Sequence, residues 1–196
     1  MKKPIEFYFD FSSPYGYLAS TQIDALAARH KREVAWHPFL LGAVFKVTGQ
    51  KPLTEQPVRG PYHARDFARS ARLLGVPFCL PEGFPFFALA ASRAFYWLGG
   101  DDRAKRLAKS VYHAAFGEGR DVTPVAVVAR IAKNEGVDGL EAGVELPETK
   151  AKLREVTDRA IAGGIFGSPF FIVDGEPFWG HDRLAQVERW LATGGW

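Results

Sequence analysis

The sequence predicts an α/β fold in which strands from both ends of the chain form one small sheet and a helical segment lies between them. Three observations favour this class: aromatic or branched apolar runs of strand length near both ends, helical spacing of apolar residues through the middle, and glycine or proline at most boundaries. With 196 residues, 47% of them hydrophobic, the chain is long enough for one well-packed core. This composition does not favour disorder.

The first third of the chain predicts a β-α-β unit followed by a long loop. Residues 5–11 are rich in aromatic side chains and predict a buried strand, helical spacing from residue 14 to about 29 predicts one helix, and residues 33–38 predict a second strand. Residues 39–61 contain several glycines and prolines, which predict a loop. Because so long a loop in a compact domain is often functional, we expect it to have a role beyond connection.

Residues 62–163 predict a block of helices. The second of these helices includes Phe86, and the first three end at or just before a glycine: Gly75, Gly99 and Gly117. Thr123 and Pro124 predict the cap and first residue of another helix, and residues 147–162 predict a further one.

The tail returns to strands. Residues 170–173 and 176–179 predict a hairpin joined by a tight turn at Asp174 and Gly175, and Asp182 is placed to open a final amphipathic helix. We therefore expect one sheet-containing domain from residues 1–38 and 163–196, with residues 39–162 as an inserted loop and helical subdomain.

Ser13 stands where the first strand gives way to the first helix, directly before Pro14. Proline at the first helical position makes Ser13 the natural N-cap, a place where unpaired backbone N–H groups stabilise an anion such as a thiolate or a phosphate. Taken alone, the segment favours a plain capping role, since Ser-Pro is common at helix starts.

Charge and composition limit the classes of partner and compartment. The net charge of +3 is spread without a long basic run, which favours mild attraction to small anions over nucleic-acid binding. A single cysteine, Cys79, excludes an internal disulfide and is expected to be a small buried apolar residue. Since the N-terminus has no signal-peptide or membrane-span pattern, we expect a cytoplasmic protein. The five histidines lack ligand spacing, so no metal is expected.

A second Ser-Pro pair begins the predicted hairpin. Ser168 and Pro169 directly precede a buried strand, which resembles the cis-proline loop of thioredoxin folds. In that fold the loop faces the start of the first helix, where redox members carry Cys-Pro-x-Cys and this chain has Ser-Pro-Tyr-Gly from Ser13 to Gly16. Without the cysteine pair, thiol–disulfide exchange by this chain is excluded there, and any thiol must come from elsewhere.

Together with this loop, three further motifs carry a resemblance that covers nearly the whole chain. They are Phe-Tyr-Phe-Asp-Phe-x-Ser-Pro-Tyr at residues 7–15, Leu-Gly-Ala-Val-Phe-Lys-x-Thr-Gly-Gln at 41–50, and Trp-Gly-His-Asp-Arg-Leu at 179–184. The chain resembles glutathione-dependent 2-hydroxychromene-2-carboxylate isomerases, which are relatives of kappa-class glutathione transferases. The resemblance implies a thioredoxin-like fold with an all-helical insertion between the β-α-β and β-β-α halves. It also implies a homodimer that uses glutathione in aromatic catabolism.

The resemblance places glutathione between the first helix and the cis-proline loop. By this matching Ser13 is the catalytic residue that contacts the glutathione sulfur, with Ser12 as the alternative, and Pro14 and Tyr15 complete that side of the site. The backbone of Ser168 would pair with the backbone of glutathione as an added strand does.

The remaining motif positions concern the two ends of glutathione and the substrate. His181 and Asp182 match residues that bind the γ-glutamyl end, although Asp182 is also a candidate N-cap. Gln50 stands where relatives often have asparagine in contact with glutathione. Lys46 matches a lysine that faces the substrate carboxylate, and Phe84 matches a position that is tyrosine in some isomerases, with plain core packing as the alternative.

Two rival functions remain open from the sequence. A conjugating glutathione transferase would share nearly every matched residue and differ only in keeping the thioether that an isomerase expels. A non-catalytic thioredoxin-like binding module would use Ser13 only as a cap and would bind no thiol substrate.

Overall fold

The computed structural model describes residues 3–196 and contains one four-stranded sheet. Its strands are β1 (Ile5–Phe9), β2 (Val34–Pro38), β3 (Phe170–Val173) and β4 (Glu176–Trp179), in the order β2-β1-β3-β4. The β1–β2 pair is parallel, with Phe7 opposite Trp36, whereas β1–β3 and β3–β4 are antiparallel. The two ends of the chain therefore build one sheet, as predicted.

The described residues form ten α-helices, of which only α1, α2 and α10 lie outside the segment between β2 and β3. Their bounds are α1 Pro14–Ser20, α2 Ile23–Arg29, α3 Leu41–Thr48, α4 Gly60–Leu74, α5 Leu89–Trp97, α6 Asp102–Tyr112, α7 Val125–Asn134, α8 Leu140–Gly143, α9 Pro147–Ala162 and α10 Leu184–Thr193. This order confirms the predicted fold class, a thioredoxin-like fold with a helical insertion. Among residues 3–196, no helix combines the length and the apolar content that a membrane crossing requires.

The sheet is covered on both faces because side chains alternate along β1. Phe7 and Phe9 lie in the main core, where their rings contact Trp36 at centroid distances of 5.0 and 5.3 Å. Tyr8 points to the opposite face and joins a smaller apolar cluster that includes Ala160 of α9. This aromatic packing holds the end of β1 rigidly, and the candidate site begins at that end.

The first predicted helix is divided in two, which corrects the expected continuous helix over residues 14–29. At the break, three side chains donate hydrogen bonds to backbone carbonyls of α1. Ser20 Oγ donates to Tyr17 O at 2.7 Å, Thr21 Oγ1 to Leu18 O at 2.8 Å, and Gln22 Nε2 to Leu18 O at 3.2 Å. Such local bonds compete with the helix pattern, so α1 ends after seven residues.

The predicted loop over residues 39–61 is largely helical, a second correction. It contains α3 and a 3₁₀ turn at Leu53–Glu55, and α4 begins already at Gly60. The Leu41 amide at the start of α3 donates to Asp10 Oδ2 at 2.8 Å. Because that acceptor lies 31 positions away in the chain, local sequence gives no sign of it. Gly49, at φ 72°, ends α3 in the left-handed conformation.

Two other helix starts were predicted wrongly. Helix α7 begins at Val125, and Thr123 is not its cap, since the Thr123 amide and hydroxyl both donate to Asp121 Oδ1 at 2.8 and 2.7 Å. Phe86 lies before the helix to which it was assigned, because α5 begins only at Leu89, after Ala88 in a non-helical conformation at φ −95° and ψ 53°.

Cys79 is exposed, which corrects the prediction of a buried thiol. Phe78 and Leu80, on either side of it, pack against the core, whereas Cys79 is exposed between them. Its amide N–H donates to Phe116 O at 2.6 Å and ties this segment to the π-helical turn His113–Gly117 that follows α6.

Candidate functional site

Ser13 caps α1, as predicted, and also bridges to the second Ser-Pro pair. Its Oγ accepts the Gly16 amide at 3.0 Å and donates to the Ser168 carbonyl oxygen at 2.9 Å. The side chain is 7% exposed, so both bonds form in a nearly dry environment. The hydroxyl is therefore held between the helix start and the loop before β3.

The Ser168–Pro169 peptide bond is cis, as the resemblance predicted. Ser168 Oγ accepts the Asp10 amide at 2.9 Å, which fixes this loop against the end of β1. Among the described residues the Ser168 amide N–H has no hydrogen-bond acceptor, and its carbonyl is bonded only by Ser13. An extended backbone beside this loop would find one donor and one acceptor in position.

Gly16 is required by close packing, which the sequence did not reveal. A Cβ there would lie 2.5 Å from the Tyr112 hydroxyl oxygen and 3.1 Å from Ser168 Oγ. The buried Tyr112 hydroxyl donates to the Asp10 carbonyl at 2.8 Å and thereby supports the turn that carries Ser13. The position of a redox cysteine is thus occupied here by the one residue small enough to admit Tyr112.

Tyr15 joins α1 to α4 and to the segment after β4. Its hydroxyl donates to Asp66 Oδ2 at 2.6 Å, and its ring stacks on His181 with centroids 4.8 Å apart and planes 9° apart. Burial, reinforced by the bond to Asp66, raises the pKa of Tyr15. Although burial opposes it, donation from Tyr15 and Arg69 holds the pKa of Asp66 below its usual value. Sequence reasoning missed Asp66, which has no local signal.

His181 and Asp182 lie in a 3₁₀ turn, His181–Arg183, beside α1. Burial lowers the pKa of His181, and the nearby carboxylates of Asp182 and Asp66 oppose that shift. Asp182 is exposed and pairs with Arg183 Nη1 at 2.8 Å. Its predicted role as helix cap is wrong, because α10 begins only at Leu184 and receives no side-chain cap.

Lys46 and Gln50 flank the end of α3 and are exposed. Neither side chain forms a hydrogen bond or ion pair with any residue in the described range 3–196, Ser13 included. Both are therefore available to a ligand, and their predicted contacts with glutathione and substrate stay predictions.

Phe84 packs in the aromatic layer under the segment before α5. Its ring centroid lies 6.2 Å from those of Phe67, Phe86 and Phe116. The structure thus shows the core-packing role that the sequence left open, and a substrate contact at Phe84 stays a prediction. Phe87, by contrast, is 80% exposed.

Comparison with known proteins adds to this geometry. A family model described as a DSBA-like thioredoxin domain matches residues 4–192. The chain belongs to the DSBA-like thioredoxin domain family. Within residues 3–196 of this DSBA-like protein, no three His, Cys, Asp or Glu side chains are grouped so that they could hold a metal ion.

Named relatives of this DSBA-like chain fall into two groups. It is 29% identical to 2-hydroxychromene-2-carboxylate isomerase of Sphingobium xenophagum over 195 residues, covering 97% of this chain and 99% of that protein. It is also 29% identical to glutathione S-transferase kappa 2 of Caenorhabditis elegans over 212 residues, covering 97% and 92%. The resemblance to these isomerases and kappa-class transferases is confirmed.

Solved structures agree with the sequence relatives. A structure of 2-hydroxychromene-2-carboxylate isomerase has a TM-score of 0.88 and 26% identity, covering 96% of this chain and 94% of that one. The cytosolic disulfide reductase DsbM of Pseudomonas aeruginosa, solved with GSH, has a TM-score of 0.66 at 17% identity over 96% of both chains, and shares the fold. Here Cys79 is the single cysteine, and it lies outside the start of α1.

Proposed function

We propose that the protein is a glutathione-dependent isomerase that converts 2-hydroxychromene-2-carboxylate or a closely similar acid to a trans-o-hydroxybenzylidenepyruvate product. The observation that carries the proposal is the buried Ser13 hydroxyl, 2.9 Å from the carbonyl of Ser168 across a cis-proline loop. A hydroxyl replaces the thiol at this place, which fits a protein that binds a thiol rather than supplying one.

The residues present fit glutathione, which is itself a short extended peptide. The Ser168 amide and carbonyl would pair with its cysteine backbone as an added strand does. His181 and Asp182 would hold the γ-glutamyl end, where the Asp182 carboxylate suits an ammonium group. Gln50 offers an amide to the backbone, and Pro14 and Tyr15 form the helix-side wall.

Ser13 is proposed to stabilise the thiolate. A thiol with a pKa of about 8.5 needs roughly 2 kcal/mol of preferential stabilisation to be half ionised near neutral pH. A hydroxyl donating to a charged acceptor contributes about 1.5–3 kcal/mol, and the short α1 adds at most the lower part of the ~0.3–1 kcal/mol that a helix N-terminus provides. These contributions suffice without a protein base.

The hydroxyl proton of Ser13 has to change its acceptor when glutathione binds. In the structure it is directed to the Ser168 carbonyl oxygen. Rotation about the Ser13 Cβ–Oγ bond would turn it towards the sulfur, without moving Oγ, and leave that carbonyl to the incoming backbone amide. The cap to Gly16 can persist, because Oγ accepts that bond with a separate lone pair.

Bound glutathione would supply a thiolate that adds reversibly to the conjugated double bond of the ring-opened substrate, which allows rotation before the same thiolate leaves. Lys46 would hold the substrate carboxylate, and the exposed Phe87 with its neighbours Phe84 and Phe86 would line the aryl side. Since the nucleophile that adds also departs, the reaction has no net redox change.

Two associated features belong to the same proposal. The resemblance to 2-hydroxychromene-2-carboxylate isomerases and kappa-class transferases supports a homodimer that acts in the cytoplasm. A conjugating transferase is the second candidate function, because the kappa relative of Caenorhabditis elegans matches at the same 29% identity as the isomerase of Sphingobium xenophagum.

The test is a calorimetric titration with glutathione, followed by an isomerisation assay with 2-hydroxychromene-2-carboxylate and product analysis. Binding with catalysed isomerisation and no retained thioether supports the isomerase. Binding with accumulation of a thioether from an electrophile such as 1-chloro-2,4-dinitrobenzene favours the transferase. Absence of glutathione binding would leave the non-catalytic binding module.

A further inference from the structure

Asp10 is a buried carboxylate at the end of β1 that touches three segments of the candidate site. The residue is 6% exposed. Its Oδ1 accepts the amide and the hydroxyl of Ser12, both at 2.8 Å, and its Oδ2 accepts the Leu41 amide at 2.8 Å. Its own backbone amide donates to Ser168 Oγ at 2.9 Å. The carboxylate is thus bonded at once to the turn before Ser13 and to the start of α3.

In the structure both carboxylate oxygens of Asp10 accept hydrogen bonds from backbone amides. The amides of Ser12 and Leu41 can only donate, so both carboxylate oxygens must accept. The Ser12 hydroxyl is the one partner that can reverse its direction. A proton on Asp10 could therefore be placed only towards Ser12, and the bond to Leu41 would persist.

Helix α3 has few other anchors, and one of them is the amide of Leu40, directly before the helix, which donates to Thr157 Oγ1 at 3.2 Å. Of its eight residues, all described, Val44 alone is buried. The helix has no local side-chain cap, since Leu40 occupies that position. A Cβ at Gly42 would lie 2.9 Å from the ring of Phe87, so the outer side of α3 rests on an exposed aromatic side chain. The Leu41 amide would be an unpaired donor without Asp10.

We propose that Asp10 is a positioning residue that holds α3 in register with the Ser12–Ser13 turn, so that the substrate-binding side of the site stays aligned with the sulfur-binding side. The inference rests on the proposed function, in which Lys46 of α3 holds the substrate carboxylate. Asp10 would contact neither glutathione nor substrate. It would act through the Leu41 amide alone on the substrate side.

The chain offers a matched pair of variants at Leu41. Leu41→Pro removes the amide N–H, and proline suits this first helical position because Leu40 already has extended geometry at φ −94° and ψ 98°. Leu41→Ala also truncates the side chain but keeps the N–H. The difference between the two variants therefore reports the bond to Asp10 and not the lost leucine packing.

Three measurements are made on both variants: amide hydrogen exchange over residues 41–48, the glutathione Kd by calorimetry, and KM and kcat for 2-hydroxychromene-2-carboxylate. If wild type shows no isomerisation, 1-chloro-2,4-dinitrobenzene conjugation supplies KM and kcat. Relative to Leu41→Ala, we expect Leu41→Pro to exchange its α3 amides about tenfold faster and to raise KM about tenfold, the effect of losing one buried hydrogen bond. The glutathione Kd should agree within about twofold between the variants.

Equal α3 exchange and equal KM in the two variants would overturn the proposal. A rise in glutathione Kd as large as the rise in KM would also overturn it. Asp10 would then support the sulfur-binding side and the substrate-binding side equally. If wild type binds no glutathione, the proposed function fails, and with it the catalytic part of this inference.

A second variant covers the case in which Leu41→Pro does not fold. Asp10→Ser keeps a short acceptor for the Ser12 amide, as in an ST turn, but has no second oxygen that reaches Leu41. We expect faster exchange confined to α3 relative to wild type. Unchanged exchange over residues 41–48 would refute the anchoring role.

Discussion

Ser13→Ala tests the centre of the proposed site, and its effect on stability can be worked out from two bonds. The substitution removes the acceptor of the Gly16 amide at 3.0 Å and the donor to Ser168 O at 2.9 Å. Loss of an N-cap costs about 1 kcal/mol, and loss of a neutral hydrogen bond costs about 0.5–1.5 kcal/mol. We therefore expect the free energy of unfolding to fall by about 1.5–2.5 kcal/mol.

The same change should affect bound glutathione more specifically. Without the hydroxyl, the thiolate would lose about 1.5–3 kcal/mol of stabilisation, whereas the neutral thiol would lose much less. At 1.36 kcal/mol per pKa unit, the pKa of the bound thiol should rise by about 1–2 units. The glutathione thiolate absorbance near neutral pH should fall accordingly, and isomerisation should fall at least about tenfold.

The assay is a pH titration of the thiolate absorbance in the protein–glutathione complex, with calorimetry of glutathione and S-methylglutathione in parallel. S-methylglutathione has no thiolate, so its Kd should change by less than about threefold in Ser13→Ala. Ser13→Thr, which keeps a hydroxyl, should retain part of the thiolate signal.

Asp101→Ala controls for the loss of a cap as such. Asp101 caps α6 by accepting the amides of Arg103 and Ala104 at 2.9 and 3.0 Å, and its loss should lower stability by about 1 kcal/mol without affecting glutathione. The reasoning is refuted if Ser13→Ala binds glutathione with an unchanged thiol pKa, or if Asp101→Ala shifts that pKa equally.

Three other changes have definite expected outcomes. Gly16→Ala places a Cβ 2.5 Å from a buried tyrosine hydroxyl and should cost about 1–3 kcal/mol in urea unfolding, whereas Gly83→Ala, with open space around its Cβ, should be nearly neutral. Burial lowers the pKa of His181 from 6.5, so stability should decline as pH falls below about 6.5, and His181→Gln should reduce that decline. Tyr15→Phe removes the 2.6 Å bond to Asp66 and should cost about 1 kcal/mol near neutral pH. Because the bond lowers the pKa of Asp66 from 3.8, this cost should shrink once acid protonates that carboxylate.

Each outcome has a counterpart that would contradict it. Equal unfolding energies for the two glycine variants would mean that the site relaxes around Tyr112 without strain. If the stability of wild type and of His181→Gln declined equally as the pH falls, the burial of His181 would not be the cause of that decline. A Tyr15→Phe effect as large below pH 3 as at neutral pH would show that the Asp66 charge is not involved.

The parts of the fold that could be predicted from sequence are decided by interactions between residues close together in the chain. The hairpin of β3 and β4, the bounds of α9, the cap at Ser13 and the proline that opens β3 follow from turn residues, helix boundaries and strand patterns. The family resemblance could be found for the same reason, since its motifs are short runs of consecutive residues.

The parts that could not be predicted depend on contacts between distant residues. Asp66 reaches Tyr15 over 51 positions, and Asp10 reaches Leu41 over 31, so no local pattern indicates either bond. The exposure of Cys79 was predicted wrongly for a related reason: whether its side chain is buried depends on the packing of its neighbours Phe78 and Leu80 against a core built from distant residues.

The sequence by itself determined the order of the four strands along the chain, the helical character of the segment between β2 and β3, the Ser-Pro pair at α1 and the Ser-Pro pair before β3, because helix caps, turns and periodicity act over a few residues. Only the tertiary structure decided that Ser13 donates to Ser168, that Gly16 admits Tyr112, and that α3 starts against a carboxylate of β1. These contacts join segments up to 155 positions apart, and they form only when burial of the aromatic core brings both halves of the sheet together.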